Sequence, residues 1–107
     1  MAVVRFEVYL VALDPTVGAE IKKTRPCVVV SPPEMNRKSA LVIIAPMTSG
    51  GRPRPTRVAC EFQGVNGFVV LDQVRTIDRS RLIRRLGVVP PSVGERLLAV
   101  LQELFEP

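Results

Sequence analysis

The chain has no histidine and no tryptophan, a single tyrosine, and two cysteines among 107 residues. Without histidine, catalysis by a pair of imidazoles is impossible. With two cysteines and no histidine, the usual zinc-site spacings are missing as well. No acidic cluster suggests magnesium, so neither a metal nor a cofactor is expected. Cys27 and Cys60 sit in apolar, strand-like contexts and read as buried free thiols rather than as a disulfide. Aromatic residues make up 5% of the chain, few for a module that recognises partners through exposed rings. Apolar runs are too short to span a bilayer, so no membrane partner is expected. The first residues, Met1 to Glu7, carry neither a long apolar stretch nor a cleavage-site pattern. The expected location is cytoplasmic.

What is present fits one small globular domain, expected over residues 1–107. A chain of this length buries roughly two thirds of its unfolded surface, enough for one core. The apolar fraction is 47% and the charged fraction 23%, so disorder is not expected. Basic residues outnumber acidic ones, 15 to 10, for a net charge of +5. Such a balance fits a solvated surface or a nucleic-acid partner. Twelve of the fifteen cations are arginine, which forks phosphate and stacks on bases, although genome base composition gives the same bias.

Ten prolines and seven glycines divide the chain into short pieces. Strands are expected over Val4 to Leu13, Pro26 to Ser31, Leu41 to Met47, Thr56 to Phe62, Phe68 to Ile77 and Leu82 to Val89. Turn chemistry marks Asp14 to Gly18 and Gly64 to Gly67. Glu34 to Lys38 reads as a helical turn, and Gly50 to Pro55 as a loop. After Pro90-Pro91 the period changes. Ser92 and Glu95 have capping-box spacing. Val93, Leu97, Val100, Leu101 and Leu104 then repeat at helical spacing, an amphipathic helix of about three to four turns. Its apolar face is expected to pack on the sheet. Many short antiparallel strands followed by one helix predict a mainly β fold, a small barrel or curled sheet.

Two strand ends stand out chemically. Glu20-Ile21-Lys22-Lys23-Thr24-Arg25-Pro26 is a charged loop that runs into the apolar strand Cys27 to Val30, setting cations at the mouth of the β-structure. Ala45-Pro46-Met47-Thr48-Ser49 ends another apolar strand with two hydroxyls. Either feature alone reads as a solvated loop or an ordinary turn, and lysines beside a sheet edge also discourage aggregation. Read as one strand, Asp72 to Arg75 sets Asp72 and Val74 on one face and Gln73 and Arg75 on the other.

These stretches together resemble the MazF/PemK family of toxin-antitoxin toxins. The similarity runs through Leu13-Asp14-Pro15, Gly18, Glu20 to Pro26, Val28 to Ser31, Asn36, Val42 to Pro46 and Thr48-Ser49. It continues through Leu71 to Asp78, Arg81-Leu82 and Leu86-Gly87, so it covers nearly the whole chain in order. The resemblance implies an SH3-like barrel with a C-terminal helix, acting as a homodimer. It implies a sequence-selective, metal-independent endoribonuclease that binds single-stranded RNA in a groove at the dimer interface and is inhibited by a cognate acidic antitoxin. The family's catalytic arginine falls on Arg25 and its catalytic threonine on Thr48, with Glu20 on an acidic loop position tied to activity. Asp72, Gln73 and Arg75 match a strand bordering the RNA groove. Lys22, Lys23, Arg52 and Arg54 are loop-borne cations suited to phosphate, and Ser49 adjoins Thr48. One departure is visible: Phe6-Glu7 stands where many members have Gly-Asp, and phenylalanine is not expected to mimic a turn-forming glycine. A non-catalytic toxin of the same fold that acts on a topoisomerase uses a C-terminal tail with tryptophan, which this chain lacks. An inactive nucleic-acid-binding homologue is the other reading, and retained Arg25 and Thr48 argue against it.

Overall fold

The computed structural model describes residues 2 to 107. Its strands are β1 (Glu7–Ala12), β2 (Thr24–Val29), β3 (Leu41–Thr48), β4 (Arg57–Phe62), β5 (Val65–Val70), β6 (Arg75–Asp78) and β7 (Leu82–Val88). A short helix α1 (Pro33–Lys38) follows β2, and the longer α2 (Pro91–Leu104) closes the chain. The strands pair antiparallel in the order β4-β5-β3-β2-β1-β7, with β6 also on β3. The result is the expected mainly β fold, a curled antiparallel sheet with a C-terminal helix.

Both faces of this sheet are covered. On one face Val8, Val28, Val30, Ala45, Met47, Val69 and Leu71 pack with Leu97 of α2. On the other, Tyr9, Val11, Cys27, Val29, Val42 and Ile44 pack with Ile77 and Leu82. Coverage of both faces explains why Cys27 to Val30 is one continuous apolar run: every residue of it is buried, whichever way the pleat points it.

The expected strand from Phe68 to Ile77 is instead two strands joined by a 3-10 helical turn at Leu71–Gln73. Both halves pair with the same edge of β3. Met47 lies opposite Val69, and Ile44 lies opposite Arg75. Three steps along β3 therefore face six along the other chain, and the turn takes up the three extra residues. Pairing with β6 ends at Ile44 and pairing with β5 begins at Met47. Pro46, which has no N–H to give, occupies this interruption. The expected turn at Gly64 to Gly67 also shifts, because β5 already begins at Val65.

The capping box does not form. Pro91 is the first helical residue, its fixed φ suited to that position, and Pro90 holds the cap position with no side-chain bond. Ser92 lies two residues past the cap position, inside the helix. The first strand also opens differently from expectation. Phe6 adopts a left-handed φ of 74°, the conformation thought to require glycine. Its N–H donates to the Val29 carbonyl at 2.7 Å, and its carbonyl accepts from Val89 N–H at 3.1 Å. The ring lies on buried Gly94, where a Cβ would approach within 2.7 Å of it. These contacts offset a backbone cost of about 1–3 kcal/mol.

Cys27 and Cys60 are free and buried, as expected. Burial pushes the Cys27 thiol from 9.0 up to about 12, outweighing the opposing pull of Arg75 and Arg25. The folded state therefore holds the proton after the unfolded chain has lost it. The stabilisation is complete below pH 9.0 and is lost as pH rises towards about 12. Denaturant unfolding should give lower stability at pH 11 than at pH 8, with a smaller decline in Cys27→Val. An equal decline in the variant would show that other groups control alkaline stability.

Candidate functional site

Antiparallel register brings the two strand ends together. Cys27 of β2 lies opposite Pro46 of β3, and carrying that register two residues on sets Arg25 opposite Thr48. Both side chains line a cavity of about 230 Å³. Arg25 is half-buried and its Nε donates to the Lys22 carbonyl at 3.0 Å. Its terminal nitrogens make no hydrogen bond among the described residues, which leaves a two-pronged donor for an anion. Thr48 Oγ1 donates to the Gly50 carbonyl at 3.0 Å. Ser49 borders the same cavity and opens onto a second recess of about 490 Å³ beside the β4–β5 hairpin.

Glu20, Asp72, Gln73 and Arg75 gather elsewhere. They line a neighbouring cavity of about 560 Å³, with Pro46 on its wall. Glu20 Oε1 accepts from Val17 N–H at 2.6 Å and closes a tight turn. Gln73 Oε1 accepts from Ile21 N–H at 2.6 Å, while its Nε2 donates to the Ala19 carbonyl at 3.5 Å. Arg75 Nη1 donates to the Leu13 carbonyl at 3.1 Å. Asp72 is exposed, and it sits on the 3-10 turn, not on a strand face as expected.

The candidate residues thus form two adjoining sets, Arg25 with Thr48 and Ser49, and Glu20 with Asp72, Gln73 and Arg75. Lys22, Lys23, Arg52 and Arg54 are exposed on the loops that flank them. No carboxylate lines the Arg25 cavity. Its thiol, Cys60, is raised above its ordinary pKa by burial, so it is held as the neutral form. Among the described residues no three His, Cys, Asp or Glu side chains gather as a metal centre needs.

Sequence reasoning missed the β4–β5 hairpin, which contributes Cys60, Phe62, Gln63 and Gly67 to the Arg25 cavity. Gly67 was the available signal, since an isolated strand glycine marks a close backbone approach. Here that approach is to Thr48: a Cβ on Gly67 would fall 1.8 Å from the Thr48 carbonyl oxygen. Arg81 was missed as well. Its Nη1 lies within 3.2 Å of the carbonyls of Ala12, Leu13 and Asp14 and ties down the base of the β1–β2 loop.

A family model described as PemK-like, MazF-like toxin of type II toxin-antitoxin system matches residues 4–105. The chain is 40% identical over 107 residues to the endoribonuclease PemK of Escherichia coli, covering 94% of this chain and 80% of that one. It is similar in structure to MazF from Deinococcus radiodurans, with a TM-score of 0.86 at 28% identity over 97% of this chain and 96% of that one. It is also similar to an endoribonuclease in complex with its cognate antitoxin from Mycobacterial species. That TM-score is 0.82 at 28% identity, over 99% of this chain and 98% of that one.

Because backbone, not a flexible side chain, fills the space beside Gly67, Gly67→Ala must push β5 away from Thr48. The expected cost is about 1–3 kcal/mol, read as a lower melting temperature, with shifted Thr48 and Ser49 amide resonances. Wild-type values of both would mean that the hairpin accommodates the methyl group.

Proposed function

The chain belongs to the PemK-like, MazF-like toxins of type II toxin-antitoxin systems, and on that premise we propose that Arg25 and Thr48 carry its chemistry on single-stranded RNA. The protein is an endoribonuclease toxin. In the proposed reaction a ribose 2′-hydroxyl attacks the adjacent phosphorus. The bond from phosphorus to the 5′-oxygen breaks, the 2′-hydroxyl proton passes to an acceptor, and a proton is delivered to the departing oxygen. The products are a cyclic phosphate and a 5′-hydroxyl. No metal enters this scheme, because the nucleophile belongs to the substrate and the enzyme's task is alignment and charge stabilisation.

The observation that carries this reading is the Arg25–Thr48 cavity. A guanidinium anchored through Nε, with both terminal nitrogens unbonded, matches the two non-bridging oxygens of a phosphate. Arginine keeps its charge at any ordinary pH, so it serves as the electrostatic clamp rather than as a base. Thr48 turns its hydroxyl from Gly50 to the same oxygens. Glu20 lies in the adjoining cavity with its carboxylate on the Val17 N–H, which supports a role in shaping the loop. Glu20→Gln, which keeps that acceptor oxygen, should then stay within a few fold of the wild-type rate; a loss as deep as that of Arg25→Ala would make Glu20 the proton acceptor.

We further propose a homodimer whose RNA groove is bordered by Lys22, Lys23, Ser49, Arg52, Arg54, Asp72 and Arg75. An acidic segment of a cognate antitoxin would compete for that groove. The antitoxin complex of the Mycobacterial relative supports such a partner. A net charge of +5 suits both an RNA strand and an acidic segment.

Loss of one transition-state donor costs about 3–4 kcal/mol, roughly two to three decades in rate. Arg25→Ala and Thr48→Ala should each lose that much saturating single-turnover rate while keeping their melting temperatures, and wild-type protein should cleave a long RNA equally well in EDTA. A near-normal rate in either variant removes that residue from the chemistry, and activity restored only by magnesium ends the metal-free scheme. Neutralising Lys22, Lys23, Arg52 and Arg54 should flatten the salt dependence of binding to an uncleavable labelled RNA, and the antitoxin's acidic segment should displace that RNA from the wild type. An unchanged salt slope would turn these cations away from the strand, and joint binding of both partners would rule out competition.

A further inference from the structure

The β1–β2 loop, residues 13–23, carries Lys22 and leads into Arg25, so its conformation decides where the Arg25 guanidinium stands. Its base is held well. Leu13 N–H donates to the Lys23 carbonyl at 3.0 Å, and Lys23 N–H donates to Asp14 Oδ2 at 3.1 Å. Arg75 and Arg81 grip the carbonyls from Ala12 to Asp14. Beyond the base the loop has little of its own. Glu20 N–H and the Glu20 carboxylate both bond to Val17, within the tip. Thr16 Oγ1 donates to Asp14 Oδ1 at 3.0 Å and Ile21 packs against the core, but among the described residues one hydrogen-bonding side chain from outside the loop reaches residues 15–21. It is Gln73, 52 residues from Ile21 in sequence.

The placement of Gln73 follows from the broken ladder on β3. The three extra residues, Leu71–Gln73, leave the sheet as a turn, and Gln73 stands on the wall of the 560 Å³ cavity facing the loop. Its carboxamide meets the loop with both ends. The oxygen takes the Ile21 N–H at 2.6 Å and the nitrogen gives to the Ala19 carbonyl at 3.5 Å. The next carbonyl along the chain after Ile21 is that of Lys22, and it accepts from Arg25 Nε.

We propose that Gln73 is a positioning residue: its amide clasps the Ala19–Ile21 backbone, which sets the Lys22 carbonyl that orients the Arg25 guanidinium towards Thr48. This rests on the reading of Arg25 as the transition-state clamp. Gln73 then acts on the reaction through the loop, not by holding RNA. The strong half of the clasp is the oxygen, so a glutamate reproduces it, whereas alanine removes both halves. A misplacement of about 1 Å at a reacting group costs up to roughly a hundredfold in rate. The clasp therefore shows itself in the saturating rate and leaves RNA affinity alone.

The experiment compares wild type, Gln73→Ala and Gln73→Glu by three readouts: saturating single-turnover cleavage, equilibrium binding of an RNA blocked at the 2′-hydroxyl, and hydrogen exchange at the Ile21 amide. Gln73→Ala should lose roughly ten- to a hundredfold in rate, keep its affinity for the blocked RNA, and exchange Ile21 faster. Gln73→Glu should recover most of the rate and the protection. In an Arg25→Ala background, Gln73→Ala should cost nothing further. Weakened RNA binding with an unchanged saturating rate and unchanged Ile21 exchange would overturn the proposal and make Gln73 an RNA contact. A normal rate despite faster exchange would overturn it too, since the loop would then not govern Arg25. If Arg25→Ala itself cleaves normally, the assignment of Arg25 falls instead. Ile21 exchange in Gln73→Ala still decides the clasp in that case: acceleration upholds it and wild-type protection refutes it.

Discussion

One edge of β3 is shared between two strands, and that sharing sets the geometry of both cavities. An antiparallel ladder absorbs a single extra residue as a bulge, but six steps facing three leave three residues too many to stay in it. The excess leaves as the Leu71–Gln73 turn. Its departure breaks the ladder at Ala45 and Pro46, frees a wall of the larger cavity, and delivers Gln73 to the β1–β2 loop. Beyond the break, β5 returns to β3 only at its last two residues, Met47 and Thr48. The close approach of Gly67 there holds Thr48 across from Arg25.

Arginine has two occupations in this molecule, and the composition does not separate them. Arg5, Arg25, Arg75, Arg79 and Arg81 each donate to main-chain carbonyls, and Arg85 pairs with the carboxylate of Glu7. Glu7 is itself buried and accepts from Val4 N–H at 2.6 Å. Much of the basic surplus is thus an architectural resource that satisfies carbonyls where loops leave the sheet. Among the cations not used in this way, Lys22, Lys23, Arg52 and Arg54 lie on the loops beside the two cavities. Under the proposed function Arg25 would do both jobs, its Nε bonded to the Lys22 carbonyl and its two terminal nitrogens left for the anion.

The positions of Arg25 and Thr48 were legible because strand ends are marked by chemistry that sequence shows directly: an apolar run, a proline, then charge or hydroxyl. The C-terminal helix was legible by its period, and the buried cysteines by their apolar neighbours. What escaped was every feature decided by a partner distant in sequence. Phe68 to Ile77 looks like one strand because both halves satisfy strand patterning, and only their common partner shows that they are out of step. The cap is a local exception: Ser92 and Glu95 have the right spacing, but Pro91 starts the helix two residues earlier than a cap at Ser92 would. Phe6 occupies a left-handed position because Val29, Val89 and Gly94 surround it, and none of these is near it in the chain. The separation of Glu20 from Arg25 escaped for a related reason: five residues of loop carry no signal of which cavity each side chain enters.

The contact between Phe6 and Gly94 bears on when the molecule comes into being. The sixth residue needs a surface that belongs to the last helix, and β1 needs β7 along its open edge. A ribosome releases residues from the N-terminus onwards, so β1 waits, unpaired on that edge, until β7 has emerged. The helix that receives the Phe6 ring follows β7 in the chain, so it emerges later still. Closure of the sheet therefore waits for β7 and α2, and until they arrive the first strand keeps an open edge.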